Sequence, residues 1–472
     1  MERLIVILII LFVWIFWNLS AIKKHHKTKV KLDSYQKSVF EYITKNNGNV
    51  FIQGKAGTGK STFIKFLAKY YNNNILIAAP TGIAAINIDG STINSLYKIP
   101  PEDILDQEQI IDSVNLDPNK YPRKKLFEAA ELLIIDEISM VRPDILDAID
   151  NILRELLDKE KPFGGKQLLL LGDLFQLPPI IKNDKSDTDS VSVSAIFKDI
   201  YGFSNAYFFD SIAYKTGKFR IFEFTKVYRQ DADNLLTKNL DNLRNNINIQ
   251  ETINYFNTLK HYDPKMLNEY TTITPYRKVA ENINNKRLRE NPNEPLSFTA
   301  KIIDKFPADE APSPKLLTLK VGTLVMFTNN SKPNWHNGSM GVITGFEKDE
   351  NDGEDIIIVS TLPNKKEVRV IKTEWEKKQY YYDKKSGKVS QKTIGKFIQF
   401  PLALGYAMTI HKAQGKTLHK VIIDISRGAF AHGQTYVALS RTRYSSDMYI
   451  KNDLKISDCL TDHRIINFLS KK

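Results

Sequence analysis

The stretch VFIQGKAGTGKSTFIKFLAKYY, residues 50–71, decides how the rest of the chain is read. A short apolar run ends in GKAGTGKS (54–61), a full match to G-x-x-x-x-G-K-S/T, and a helical pattern follows at once. That is the strand–loop–helix context a phosphate-binding loop requires. Gly54, Gly57 and Gly59 let the backbone turn closely, so that N–H groups along Gly54, Lys55, Ala56, Gly57, Thr58, Gly59, Lys60, Ser61 and Thr62 face phosphate oxygens. The helix N-terminus adds partial positive charge. Lys60 is expected to reach the β- and γ-phosphates, and the Ser61 hydroxyl to complete a Mg²⁺ shell, so ATP and Mg²⁺ are the expected cofactors.

Working outward, short apolar runs recur at 50–52, 75–79, 132–135 and 167–171, each ended by Gly, Pro or Asp. Runs of this length and character read as buried parallel strands. Between them, residues 143–157 place Ile145, Leu146, Ile149, Ile152, Leu153 and Leu156 on one helical stripe behind Pro143. The pattern predicts an α/β, doubly wound sheet with ligands at the carboxyl ends of its strands. Residues 181–194 read as a polar loop, and a second α/β region is expected from about 220, with strands at 220–224, 271–274, 421–425 and 447–450. Period-two alternation at 321–328 and 340–346, joined through Asn337-Gly338, predicts a small β-barrel inserted in that region. Residues 349–355 and 383–390 read as exposed loops.

The remaining chemistry follows from the phosphate loop. In LLIIDEIS, Asp136 closes an apolar strand where a Mg²⁺-holding acid must sit, and Glu137 is the candidate to orient or deprotonate the attacking water. In LLLLGDLFQLPP (168–179), Gln176 can hydrogen-bond a γ-phosphate without adding charge. Arg229 in TKVYRQ and Arg441 in VALSRTR are candidate arginine fingers from the second region, which would clamp ATP between two domains. For any lone arginine, an ordinary surface role competes with that reading.

The chain has 472 residues, room for two or three domains. A net charge of +13 favours an anionic partner, nucleic acid or an anionic membrane. Cys459 is the only cysteine, which excludes an intramolecular disulfide and a cysteine zinc cluster. At the N-terminus, residues 4–17 form an unbroken apolar run that continues with minor breaks to Ile22, and Lys23, Lys24, Lys27 and Lys29 follow. A helix of ~20 residues spans a bilayer. Residues 4–22 are therefore expected to act as one transmembrane anchor, with the bulk of the chain facing the cytoplasm. A vestigial leader is the competing reading.

The ordered set GKAGTGKST, APTGIAA, IIDEISM, GDLFQLPP, TKVYRQ, YAMTIHKAQGKTL and YVALSRTR resembles the PIF-type (petite integration frequency) DNA helicases of superfamily one, relatives of RecD, over about residues 32–452. The stretch ISMVRPDILDAIDNILR resembles the segment that distinguishes the PIF branch. The resemblance implies two RecA-like P-loop NTPase domains with an SH3-like β-barrel in the second. The expected division is a leader at 1–30, the first domain at 31–220, the second at 221–310 and 399–472, and the barrel at 311–398. It also implies ATP-dependent, 5′-to-3′ unwinding by a monomer on single-stranded and forked DNA, with activity on G-quadruplexes and DNA–RNA hybrids, and roles in replication, repair, recombination and telomere maintenance. A cytoplasmic-facing or nucleoplasmic site follows. Gln36 is similar to the adenine-reading glutamine. Lys60, Ser61, Asp136, Glu137, Gln176, Arg229 and Arg441 match the family's ATP-site residues. Thr81, His411 and Gln414 sit in motifs that couple nucleotide to DNA, and Asn94 stands where the family often has histidine.

A single-strand motor needs a basic groove and stacking surfaces. Aromatics beside cations, at Tyr97-Lys98, Trp335-His336 and 377–382, are candidates, although most aromatics belong to cores. Trp335, read as an exposed hairpin tip, is expected to line the DNA path. Two other readings stay open: a translocase without strand separation, and a membrane-tethered nucleic-acid-binding switch. RNA also remains open as the track.

Overall fold

The computed structural model describes residues 32–100, 123–181, 193–228, 233–259, 269–307, 310–331 and 333–470. The apolar leader and Arg229 lie outside these residues. Among the described residues, no helix is long and apolar enough to cross a membrane.

Strands β1 (Val50–Gly54), β2 (Ile75–Ala79), β3 (Ser91–Thr92), β4 (Leu132–Ile135), β5 (Leu168–Gly172) and β6 (Arg220–Phe224) form one parallel sheet in the order β3-β2-β4-β5-β1-β6. The apolar runs are continuous because both faces are covered. Val50 and Ile52 meet Val39, Ile43, Phe63 and Leu67 of helices Ser34–Lys45 and Lys60–Tyr70 on one face. Phe51 and Leu170 meet the helix Pro143–Leu156 side on the other, as the apolar stripe predicts. Gln53 pairs with Gly172, and Ile135 with Leu170, so the carboxyl ends of β1, β4 and β5 stand nearly level.

The strand at 220–224, expected to open the second region, is instead the edge of this first sheet, paired along β1. The chain completes one sheet before it starts the next. The second parallel sheet is built from β7 (Thr271–Thr274) and from β18 (Ala407–Thr409), β19 (Val421–Ile423) and β20 (Met448–Ile450), in the order β18-β7-β19-β20.

Between them lies the antiparallel module foreseen from the period-two runs, though it begins earlier and ends later than 311–398. Strands β8 (Leu296–Thr299) and β9 (Lys301–Asp304) open it, and β10 (Leu316–Leu319) pairs with β8. A five-stranded sheet joins β11 (Leu324–Phe327), β12 (Met340–Lys348), β13 (Asp355–Thr361), β14 (Glu367–Val370) and β17 (Leu402–Leu404). Strands β15 (Thr373–Asp383) and β16 (Lys388–Gln399) form a long hairpin that also pairs with β9. Residues 383–390, read as an exposed loop, are this hairpin's turn and flanks, with 384–388 exposed.

The hairpin crosses to the first sheet. Ile77 N donates to Tyr380 Oη at 3.4 Å, Val389 N to Asn74 Oδ1 at 3.2 Å, and Ser91 Oγ to the Lys378 carbonyl at 3.3 Å. Tyr380, offered above as a stacking surface for bases, is buried here against protein.

Candidate ATP-hydrolysis site between the parallel sheets

The phosphate loop leaves β1 and enters helix Lys60–Tyr70 through Gly59, whose φ of +86° is the left-handed value that glycine adopts without penalty. Lys60 Nζ sits inside the loop and donates to the carbonyls of Gly54 (2.5 Å) and Lys55 (3.1 Å). Ser61 and Thr62 are exposed on the first turn. Gln36 is buried; its Nε2 donates to the Thr58 carbonyl at 3.2 Å, and its Oε1 accepts from Asp33 N as half of a capping box.

Asp136 and Glu137 follow β4 as predicted. Burial pushes the Asp136 carboxyl up, and the Lys60 ammonium pulls it back. Burial, followed by the neighbouring charge of Asp136, pushes Glu137 up to about 7, while Lys60 and Arg441 act in the opposite direction. Glu137 also holds φ +51°, an uncommon conformation for a residue with a Cβ.

Gln176 lies one turn past β5. Its Nε2 donates to Asp173 Oδ2 at 3.0 Å, and its Oε1 accepts from Gln414 Nε2 at 3.1 Å. The structure therefore brings Gln176 and Gln414 together across the two sheets, although Gln414 was placed on the DNA side. Arg441 is buried, and its guanidinium donates to the carbonyls of Val437 (2.6 Å), Ala413 (3.1 Å) and Lys416 (3.3 Å). Its charge still reaches Glu137.

Among the expected DNA contacts, Thr81 caps helix Gly82–Asn87 by accepting from Ala84 N at 3.3 Å. His411 is half-buried, and burial lowers its pKa. Asn94 donates to the carbonyls of Ile99 and Pro100, which anchors its own turn. The reading of Trp335 as an exposed tip is corrected: the ring is 7% exposed, stacks on Phe327 at 4.5 Å and donates from Nε1 to Asn329 at 2.9 Å. The chain folds back there through the Ser331–Trp335 bridge, so the indole fills the core of the antiparallel module. The turn beyond it is not free either, since Asn337 Oδ1 accepts from Lys416 Nζ at 2.9 Å.

Two residues went unnoticed in the sequence. Tyr228 N donates to the Gly57 carbonyl at 3.0 Å, its hydroxyl donates to Asp33, and its half-exposed ring lies beside Gly59 and Gln36. Its position beside Arg229 in TKVYRQ was the available signal. Asp173 is fully buried, and burial alone would raise its pKa. The Arg244 guanidinium, then Lys60 and the amides of Gln176 and Gln53, more than offset this and hold the carboxyl below its ordinary range. In the sequence it was hidden behind Gln176.

A profile of the PIF1-like helicases matches residues 31–258. The chain is 29% identical over 431 residues to the ATP-dependent DNA helicase Pif1 of Campylobacter jejuni, covering 87% of this chain and 90% of that one. It is 31% identical to the human ATP-dependent DNA helicase PIF1, covering 88% of this chain and 60% of the human protein, and it spans 61% of the yeast protein. The structure of unliganded Pif1 from Bacteroides sp is 35% identical, with 93% of this chain and 96% of that one covered and a TM-score of 0.78. The score is 0.80 for its complex with ADP-AlF4 and 0.62 for its form bound to ssDNA. With a phosphate loop leaving β1, two acids following β4, and 35% identity to a solved Pif1 across 93% of its length, this chain belongs to the family of PIF1-like, ATP-dependent DNA helicases.

Proposed function

We propose that this chain couples ATP hydrolysis to 5′-to-3′ movement on single-stranded DNA and opens forked duplexes ahead of it. The observation that carries this is the meeting of Gln176 and Gln414 at 3.1 Å, which joins a γ-phosphate sensor on the first sheet to a motif on the second. We read the two parallel sheets as RecA-like units and the antiparallel module as an SH3-like insert. Glu137, with its raised pKa, is suited to accept a proton from water once ionised. Gln36 and Tyr228 would hold the adenine side, and Arg441 would face the transferred phosphate once its carbonyl contacts loosen. Arg229 is assigned the second finger by its motif. Thr81, His411 and Asn94 are assigned to the DNA side by theirs.

Ser61 and Asp136 would hold the Mg²⁺. The residue types fit it: Ser61 offers an exposed hydroxyl next in sequence to Lys60, whose charge reaches the Asp136 carboxylate, and burial disfavours the charge of that carboxylate, which a hard cation would relieve. When bound, the ion supplies charge neutralisation across the phosphate oxygens. Among the described residues no His, Cys, Asp and Glu cluster forms a separate metal site.

The test is ATP turnover by the full chain with and without single-stranded DNA, beside Lys60→Ala. Strong DNA stimulation, lost in Lys60→Ala, is expected, with unwinding of 5′-tailed forks over 3′-tailed ones. Turnover indifferent to DNA would refute the proposal. G-quadruplex and DNA–RNA hybrid substrates extend the same assay. Residues 4–22 support a separate proposal, a membrane anchor, which a fully soluble reporter fusion of residues 1–30 would refute.

A further inference from the structure

Residues 173–176 carry the γ-phosphate sensor, and elements from beyond the first sheet grip them at several points. The Gly433 backbone packs so closely on the carbonyls of Phe175 and Gln176 that a Cβ there would lie 2.6 and 2.3 Å from them. His432 Nε2 stands 3.2 Å from the Leu174 carbonyl. Helix Asn234–Asn245 supplies the third contact. Its Arg244 is 5% exposed, lies over the Phe175 ring at 4.0 Å, and reaches Asp173 Oδ1 at 3.5 Å. Three residues earlier on the same face, Asp241 pairs with Lys55 of the phosphate loop. Asp233 caps the helix and also accepts from Ser445 N and Oγ, just past Arg441. One helix therefore touches the phosphate loop, the sensor loop and the arginine motif.

We propose that Arg244 is a positioning residue for ATP hydrolysis, acting through Asp173 on the Gln176 amide. Both oxygens of Asp173 are engaged: Oδ1 accepts from Gln53 Nε2 (2.9 Å) and Phe175 N (3.3 Å), and Oδ2 from Gln176 Nε2 (3.0 Å). A buried carboxylate keeps its charge only with a compensating cation. Without the guanidinium, Asp173 takes up a proton. A hydrogen on Oδ2 would then face the Gln176 amide N–H, donor against donor. The Gln176 amide must rotate, and its oxygen leaves Gln414. Packing on Phe175 would account for a stabilising Arg244, but it does not account for the choice of Asp173 as its partner.

This inference rests on the ATPase reading above, and one set of measurements separates the two. In the full-length protein we would compare Arg244→Met, Arg244→Lys, Asp173→Asn and the Met/Asn double variant. The readouts are ATP turnover with saturating single-stranded DNA, affinity for ADP and for ADP with aluminium fluoride, and thermal midpoint. In Arg244→Met, kcat is expected to fall about tenfold or more with KM changed far less. ADP affinity should hold while the aluminium fluoride complex weakens by a similar factor. Arg244→Lys should recover part of kcat, and the double variant should be no slower than Asp173→Asn alone. A lower thermal midpoint with wild-type kcat and unchanged aluminium fluoride affinity would overturn the proposal, as would multiplicative losses in the double variant. Wild-type turnover that ignores DNA would count against the motor reading instead, and the effect of Arg244 on basal turnover would still decide this one.

Discussion

Glu137 concentrates the residue-scale chemistry. Its left-handed backbone costs on the order of 1–3 kcal/mol, which a site tolerates when the position of the side chain matters. Its folded pKa of about 7 lies above the ordinary 4.5, so between those values the folded state binds the extra proton. Stability is therefore greatest below about pH 4.5 as far as this group is concerned, falls as pH rises toward 7, and levels off above it. In the nucleotide-free protein, Glu137→Gln should remove that fall; thermal midpoints from pH 5 to 8 that keep the wild-type slope would count against the shift. The same substitution should abolish turnover. Asp136 and Glu137 were legible because two acids after a buried strand need a reason. Asp173 and Arg244 were not, because neither type nor spacing shows that two charges far apart in the chain share one buried site.

At the scale of elements, legibility followed burial on both faces. Strands β1, β2, β4 and β5 are buried at every position, apolar but for Gln53 and the closing glycines, and stood out. Strand β15, TEWEKKQYYYD, carries charge at five of its 11 positions and did not, since its stability comes from pairing along β16 and from Tyr380 docking on β2, a contact its own sequence cannot announce. Trp335 shows the opposite failure: a polar turn beside it suggested exposure, while the ring completes a core with Phe327, Phe400 and Leu402. Trp335→Ala should therefore destabilise the antiparallel module by ~3–5 kcal/mol and leave the single-strand affinity of the folded protein unchanged. Denaturant melts beside DNA titrations below the transition would check both parts, and a large affinity loss without destabilisation would restore the DNA-path reading.

For the whole molecule, the charge of +13 sets the expected response to salt. Single-strand affinity should fall with a slope of about −0.7 in log–log form for each phosphate neutralised. A flat titration would assign the charge to another partner. The arrangement of sheets also bears on how the chain is made. The edge strand β3 is two residues long, and the Lys378 backbone of the hairpin lies against it. The hairpin is encoded about 150 residues after the first sheet is complete. At roughly 5–20 residues per second, the emerging sheet keeps this rim uncovered for about 7–30 s on the ribosome. A β3 so short offers a neighbouring nascent chain almost no ladder to copy, which protects the polypeptide through the interval before its own hairpin arrives.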